Sequence, residues 1–405
     1  GILFQQILDF MHTLRDSQYR FWTIPQKVWI NLGMVNIGAW VTAFAYGTTY
    51  FSAVVFVGYA GQFGYKYGLS ATWIGLGNAV IGSLLAWVIL GRRTRVMTKH
   101  LSAATMPDYF GKRFDSNALR IAASLISFIF LIPYTASVYN GLSRLFGMAF
   151  DVPYAACVIV MAALTGVYVV LGGYMATAIN DFIQGIVMLF GIVAVIAAVL
   201  NGQGGFYSAV VKLSEIESDV ALTMGQKGVF ASFFGPDLPN LIGVVILTSL
   251  GTWGLPQMVH KFYAIKDEKA IRYGTIISTF FAIVVSGGCY FLGGFGRLFD
   301  TPAIHAADGR VIYDSIIPTM LSSLSDMLIG IVIVLVLSAS MSTLSSLVLT
   351  SSSTLTLDLI KDNLVKNLSQ KTQLIIMRAL IAVFIAVSAF IALNKDSLGY
   401  IADMM

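Results

Sequence analysis

Charged side chains are scarce in this sequence, and their scarcity excludes most soluble proteins. Among 405 residues there are 25 Lys or Arg and 20 Asp or Glu, so 11% of the chain is charged, against roughly 25% in an ordinary soluble domain. Hydrophobic residues make up 57% of the chain. So few charges could not cover the surface of a water-soluble fold of this length. The composition therefore excludes a soluble enzyme and a disordered chain, and predicts an all-α, polytopic membrane protein.

Cysteine and histidine are too few and too scattered to indicate a disulfide framework or a transition-metal centre. Cys157 and Cys289 both lie within apolar runs, and the four histidines have no ligand spacing. The first residues, GILFQQILDFMHTLRD, are too polar for the apolar core of a cleavable signal peptide. The functional residues must therefore be sought inside the membrane-spanning part.

Long apolar runs are what the sequence does have, and nine of them reach the length of roughly 20 residues that a bilayer requires. These predicted spans lie at about 37–61, 71–91, 118–146, 154–172, 177–200, 238–256, 271–296, 326–356 and 371–394. A tenth span is predicted to begin within 395–405 and to be truncated there. Residues 1–35 carry several charges and predict an interfacial or soluble segment, which leaves 36–405 as the core.

The basic residues fall mainly into alternate connections between the spans. If the connection between spans 2 and 3 is cytoplasmic, 18 of the 25 Lys and Arg residues lie inside and 7 outside, as the positive-inside rule requires. This places residues 1–35 in the cytoplasm and predicts a multi-pass protein of the plasma membrane, such as a bacterial inner membrane. The net charge of +5 is thus explained by the orientation of the chain in the membrane. Nucleic acid is therefore excluded as a partner, and the lipid bilayer is the expected one. No obligate protein partner is evident.

Two spans are interrupted by glycine and polar residues at corresponding positions. Span 1 contains AYGTTYFS, residues 45–52, and span 6 contains TSLGTWGLP, residues 248–256. Five spans separate the two breaks, so they occupy equivalent places in two five-helix halves. Paired broken helices of this kind indicate a solute site at the membrane midplane. The alternative is that small residues simply let helices pack closely.

Spans 8 and 5 add polar groups at membrane depth. The hydroxyls of Ser338, Ser342, Ser345 and Ser346 share one helical face; they could offer neutral oxygens to sodium or bond to carbonyls of their own helix. Asp181 lies near the cytoplasmic start of span 5. It is either part of an ion or proton path or a cap of a helix N-terminus. Composition alone leaves both pairs of alternatives open.

Four segments, taken in order, resemble the sodium:solute symporter family. They are TMPDYFGKRF at 105–114, GGYMATAINDFIQ at 172–184, GLPQ at 254–257 and MSTLS at 341–345. The sequences of these motifs are most similar to those of the bacterial sodium/proline and sodium/pantothenate symporters. The resemblance runs from about residue 38 to 394. It implies a leucine-transporter-type fold with two inverted five-helix repeats, in which helices 1 and 6 are broken.

The resemblance also implies where the ions and the solute bind. The first sodium site would use the carbonyls of Thr48, Phe51 and Ala339 and the hydroxyls of Ser342 and Thr343. A second sodium site, present in some members, maps onto Asp181, Ser342, Ser345 and Ser346. The candidate solute-binding residues, chosen by position and polarity, are Tyr50, Tyr134, Thr252, Trp253 and Gln257.

These features together predict a sodium-coupled symporter that imports a small organic solute by alternating access. Sodium would be the co-transported ion, with no organic cofactor, and the solute would be an amino acid such as proline or a monocarboxylate. A sugar, sialic acid or vitamin is the alternative solute, although span 3 has no deep Arg to clamp the carboxylate of sialic acid. A channel and proton coupling through Asp181 are further alternatives. An intramembrane enzyme is not expected, because Asp181 is too solitary.

Overall fold

A computed structural model describes residues 46–48, 51–263, 268–364 and 369–394, with backbone alone at 168, 171–180, 268–269 and 362–364. The predicted N-terminal segment 1–35, Tyr50 and the predicted start of a tenth span at 395–405 lie outside the described residues. Within these ranges the chain is almost entirely helical, with a lone antiparallel bridge between His305 and Val311.

Thirteen helices of the described part are used below. In chain order they are α1 (Val54–Tyr59 and Ala60–Tyr67), α2 (Thr72–Gly77, Asn78–Leu85 and Trp87–Gly91), α3 (Arg92–His100), α4 (Met106–Arg113), α5 (Asn117–Phe150), α6 (Tyr154–Gly202), α7 (Phe206–Ser214), α8 (Leu238–Gly251), α9 (Pro256–Tyr263), α10 (Glu268–Gly293), α11 (Ile316–Leu321), α12 (Asp326–Thr354) and α13 (Gln370–Leu393).

Several helices begin at side chains that cap the free N–H groups of the first turn. Thr105 accepts from the Asp108 N–H before α4, and Ser116 accepts from the Leu119 N–H before α5. Asp237 and Ser369 do the same for α8 and α13. Such caps satisfy donors that have no partner inside the helix, so short polar residues at the ends of apolar runs set where these helices start.

Six described helices are long and apolar enough to cross a membrane, and the bent pair α8–α9 makes a seventh. That count treats Val54–His100 as one helix. Gly68 lies within it at φ 64° and ψ −144°, well outside the helical range, so the chain turns there between α1 and α2. Tyr154–Val167 and Asp181–Gly202 are separate apolar stretches joined by a backbone that stays helical.

The outward faces of these helices are apolar. Phe130 on α5, Phe190 on α6, Leu247 on α8 and Phe390 on α13 are each exposed over more than two thirds of their surface. An apolar surface of this extent would promote association in water, whereas hydrocarbon solvates it. The structure thus supports the multi-pass membrane protein that the composition predicts.

Helices α1 and α10 touch backbone to backbone at two glycines. A Cβ atom placed on Gly64 would overlap the carbonyl group of Gly293, and one on Gly293 would overlap the carbonyl group of Ala60. Small residues allow this close approach in membranes, where helix association depends on van der Waals packing. The abundance of glycine therefore serves the packing of the core as well as the helix breaks.

The Gly64 contact predicts a loss of stability when Gly64 is replaced by alanine. We expect Gly64→Ala to destabilise the fold by about 1–3 kcal/mol, because the backbone of Gly293 cannot move aside as a flexible side chain would. The measurement is the thermal unfolding midpoint of the purified protein in detergent. Gly243→Ala on α8 is the matched control, since no atom lies within 4 Å of its added Cβ. Equal midpoints for the two variants would contradict the prediction.

Candidate functional site

The break in span 1 is bonded directly to the hydroxyl-rich helix α12. Helical backbone at 46–48 gives way to non-helical backbone at Phe51 and Ser52 before helix resumes. A residue outside a helix has a carbonyl without an intrahelical partner, and the Phe51 carbonyl oxygen lies 3.1 Å from the Thr343 hydroxyl. The Ala53 N–H donates to the Ser340 hydroxyl at 3.1 Å. The interruption thus exposes backbone groups that meet side chains 287 and 292 residues further along.

The five residues predicted for the first sodium site meet at this junction. The Thr343 hydroxyl also lies 3.2 Å from the Ala339 carbonyl oxygen, and the Ser342 hydroxyl donates to the Thr48 hydroxyl at 3.2 Å. All five residues are buried. The predicted ligand from Thr48 is its carbonyl; that carbonyl accepts from the Phe51 N–H at 3.3 Å, and the Thr48 hydroxyl faces Ser342. The result is a buried cluster of neutral oxygens, the kind of ligand that suits a hard cation.

Two of the residues predicted for the second site, Asp181 and Ser342, lie at a buried ion pair. Asp181 on α6 is buried, and its Oδ2 lies 3.6 Å from the Lys261 Nζ on α9. The Ser342 side chain interacts with the same carboxylate, while the Ser345 hydroxyl donates to the Ser342 carbonyl at 2.9 Å. Ser346 is half-buried. Lys261 was not part of the sequence-based site, because α9 is adjacent to α6 only in the folded chain.

A cavity of about 840 Å³ lies between α1, α2, α5 and the broken α8–α9 pair. Tyr134 and Thr252, two of the predicted solute-binding residues, line this cavity. Trp253 does not line it: its indole N–H donates to the Ile81 carbonyl at 2.9 Å, which turns the ring towards α2. Gln257, in the first turn of α9, is buried and does not line the cavity.

Sequence reasoning missed two amides that line the same cavity. Gln62 on α1 is buried, and its Oε1 has no hydrogen-bond partner among the described residues. The Oδ1 of Asn78 on α2 lies 3.0 Å from the hydroxyls of both Thr248 and Ser249, so it ties α2 to α8. Asn78 is a lone polar residue within an apolar run, and Gln62 lies just beyond the predicted end of span 1, so neither gave a stronger signal.

The cavity is lined mainly by apolar side chains and is uncharged. None of the described residues that line it carries a formal charge, and its polar atoms come from amides, hydroxyls and phenols. The bend of 51° between α8 and α9 arises where Pro256 forces Leu255 into an extended conformation. The N-terminus of α9 begins at this bend, and such helix ends favour negative charge.

The start of α4 links α9 to the segment that follows α12. The Thr105 hydroxyl donates to the Asp358 carboxylate at 2.5 Å, just beyond α12. The Met106 N–H donates to Nε2 of His260 on α9 at 3.0 Å. The segment 105–114, the first of the four that resemble the family, therefore connects α9 with the end of α12 on the predicted cytoplasmic side.

Comparison with known proteins places this geometry in a family. Residues 31–405 match the model of the sodium:solute symporter family. A sodium/proline symporter of Salmonella typhimurium is 29% identical over 375 residues, covering 90% of this chain and 72% of that protein. A sodium/pantothenate symporter of Haemophilus influenzae is 30% identical over 332 residues, covering 81% of this chain and 65% of that protein.

Solved structures share the same helical arrangement. A sodium-coupled sialic acid symporter, in a substrate-bound outward-open state, superposes with a TM-score of 0.71 at 17% identity, covering 91% of this chain and 76% of that one. A nucleobase-cation-symport-1 family transporter in a closed conformation superposes with a TM-score of 0.51 at 13% identity, covering 89% of this chain and 72% of that one. At such identities the likeness concerns the fold, and it confirms the predicted leucine-transporter-type architecture.

Proposed function

Since the chain belongs to the sodium:solute symporter family, we propose that it imports one small organic solute together with sodium by alternating access. The solute is an amino acid such as proline, or a monocarboxylate, and the membrane is the plasma membrane with residues 1–35 inside. The observation that carries this proposal is the set of buried oxygens shared by the span 1 break and α12. The chain spans about seven tenths of its sodium/proline relatives and 65% of the pantothenate relative.

Sodium at the first site would couple the two halves of the fold. Its ligands are the carbonyls of Phe51 and Ala339, the hydroxyls of Ser342 and Thr343, and Thr48. Bound sodium holds the span 1 break against α12, and separation of the two releases the ion into the cytoplasm. Neutral ligands favour release because no protein charge remains attached to the departing cation. A membrane potential of 100 mV contributes about 2.3 kcal/mol for each charge that moves inward.

The cavity would hold the solute next to this sodium. The Tyr134 ring and the Thr252 hydroxyl line it, as do Gln62 and Asn78. An uncharged lining favours a zwitterion or a carboxylate whose charge is balanced by the bound sodium and the α9 N-terminus. Sodium and solute would then bind cooperatively, with a coupling free energy of about 1–3 kcal/mol.

The proposal is tested by uptake into proteoliposomes that contain the purified full chain. Labelled proline, lactate, pantothenate, sialic acid and glucose are compared under an inward sodium gradient. We expect one of the first two to accumulate, and expect accumulation to stop when potassium replaces sodium at fixed pH. Accumulation that follows a proton gradient instead would contradict sodium coupling. Sodium flux that persists without any solute would favour a channel.

Gln62 offers a test of the solute cavity that leaves the sodium site intact. We expect Gln62→Leu to weaken solute binding roughly tenfold, because a buried unpaired acceptor awaits a donor from the ligand. The measurement is the solute concentration that half-saturates uptake. Sodium binding in the absence of solute is the internal control and should stay unchanged. An unaltered half-saturating concentration would place the solute elsewhere.

A further inference from the structure

A buried lysine faces the carboxylate that a second sodium site would use. The side chains of Lys261 and Asp181 are 8% and 1% exposed, and their charged atoms lie 3.6 Å apart. At that distance the ammonium neutralises the carboxylate. The Ser342 side chain also acts on this carboxylate, but neither carboxylate oxygen makes a hydrogen bond of regular geometry with the described residues. Asp181 therefore keeps acceptor capacity for a further ligand, although its charge is balanced.

The surroundings of this pair are polar and incompletely satisfied. Gln257 precedes Lys261 by four residues, so the two share one face of α9, and Gln184 follows Asp181 by three on α6. The side-chain oxygen of Gln184 and both polar atoms of Gln257 lack partners among the described residues. Among the residues that the structure describes, the region between α6, α9 and α12 thus offers several ligand-type oxygens, and Lys261 supplies a cation that pairs with Asp181.

A count of charges decides how many cations this region can hold. Asp181 and Lys261 together are neutral, so a sodium ion added between them would leave one net positive charge in a buried site. The effective penalty for such a charge is several kcal/mol. Without the ammonium, Asp181 would be an uncompensated buried anion, which is equally unfavourable and would recruit a cation from solution.

We propose that the Lys261 ammonium takes the place of a second sodium ion, so that one sodium ion binds per chain. Lys261 is then a residue that determines stoichiometry: it holds the charge that the pattern Asp181, Ser342, Ser345 and Ser346 would otherwise draw from sodium. This proposal rests on the proposed function in one respect: the single sodium ion that does bind is taken to occupy the proposed first site. A tethered cation stays with the protein through the cycle, so it adds no sodium to the transport ratio.

The test counts sodium ions bound to the purified full chain, with radioactive sodium as the only ligand. The wild type and Lys261→Arg, which keeps the charge, are expected to bind one sodium with a Hill coefficient near one. Lys261→Gln is expected to double the count and to raise the Hill coefficient. Adding Asp181→Asn to Lys261→Gln should return the count to one, because the recruiting charge is gone. Thermal unfolding checks that each variant is folded.

Two results would overturn the proposal: two sodium ions on the wild type, or a single one on folded Lys261→Gln. The sodium count of the wild type can be measured even if Lys261→Gln fails to fold. Failure of the proposed first site looks different. In that case Thr343→Ala would leave the wild-type count at one, while Lys261→Gln would still gain an ion.

Discussion

Replacing Thr343 by alanine is expected to weaken sodium binding roughly 30-fold and to abolish sodium-driven uptake at low sodium. The hydroxyl lies 3.1 Å and 3.2 Å from the carbonyl oxygens of Phe51 and Ala339, so its loss removes one ligand and loosens two others. An interaction of a hydroxyl with a charged group contributes about 2 kcal/mol, which corresponds to that factor. Sodium titration of the purified chain measures the affinity, and proteoliposome uptake measures the coupling.

Thr165→Ala is the matched control for this variant. Thr165 is also buried, and its hydroxyl bonds to the Met161 carbonyl four residues earlier, as Thr343 does to Ala339. It lies on α6 and contributes to no predicted ion site. The control should lose a hydroxyl and a little stability while keeping its sodium affinity. If both variants bound sodium like the wild type, the first-site assignment would be wrong.

Replacing Arg144 by methionine is expected to destabilise the fold by about 3 kcal/mol and to lower the thermal midpoint by several degrees. Arg144 Nη2 on α5 lies 3.6 Å from Oδ2 of Asp314, whose side chain is 1% exposed. Methionine keeps the apolar stem and removes the charge, so a buried carboxylate loses its counter-charge. Thermal unfolding in detergent measures the effect.

The control for Arg144 is a second Arg–Asp pair that lies in water. Arg310 and Asp308 are 77% and 51% exposed, and such pairs contribute little to stability. Arg310→Met should therefore leave the midpoint unchanged. Adding Asp314→Asn to Arg144→Met should recover part of the loss, because the buried charge is then absent. A midpoint for Arg144→Met equal to that of Arg310→Met would show that the pair is not stabilising.

The architecture, and the residues that meet where the span 1 break contacts α12, could be predicted from the sequence because their signals are local. Apolar runs set the spans, and Pro256, preceded by Gly251 and Gly254, sets the bend between α8 and α9. The order of short motifs indicated the family, and the resemblance brought with it the sodium-binding roles proposed for Phe51, Ala339, Ser342 and Thr343. Gln62 and Asn78 could not be assigned, since a single amide in or next to an apolar run gives no periodic signal.

By itself, the sequence determined that this chain crosses a membrane, where its helices break, and which hydroxyls could meet a cation. These properties depend on composition and on the spacing of residues within one helix, and both can be read directly from the amino-acid sequence. Only the tertiary structure decided that Lys261 faces Asp181, that Trp253 turns away from the cavity, and that Gln62 turns towards it. Each of those depends on how helices distant in sequence pack and rotate against one another. In a low-dielectric interior, that rotation decides which charge a buried carboxylate meets.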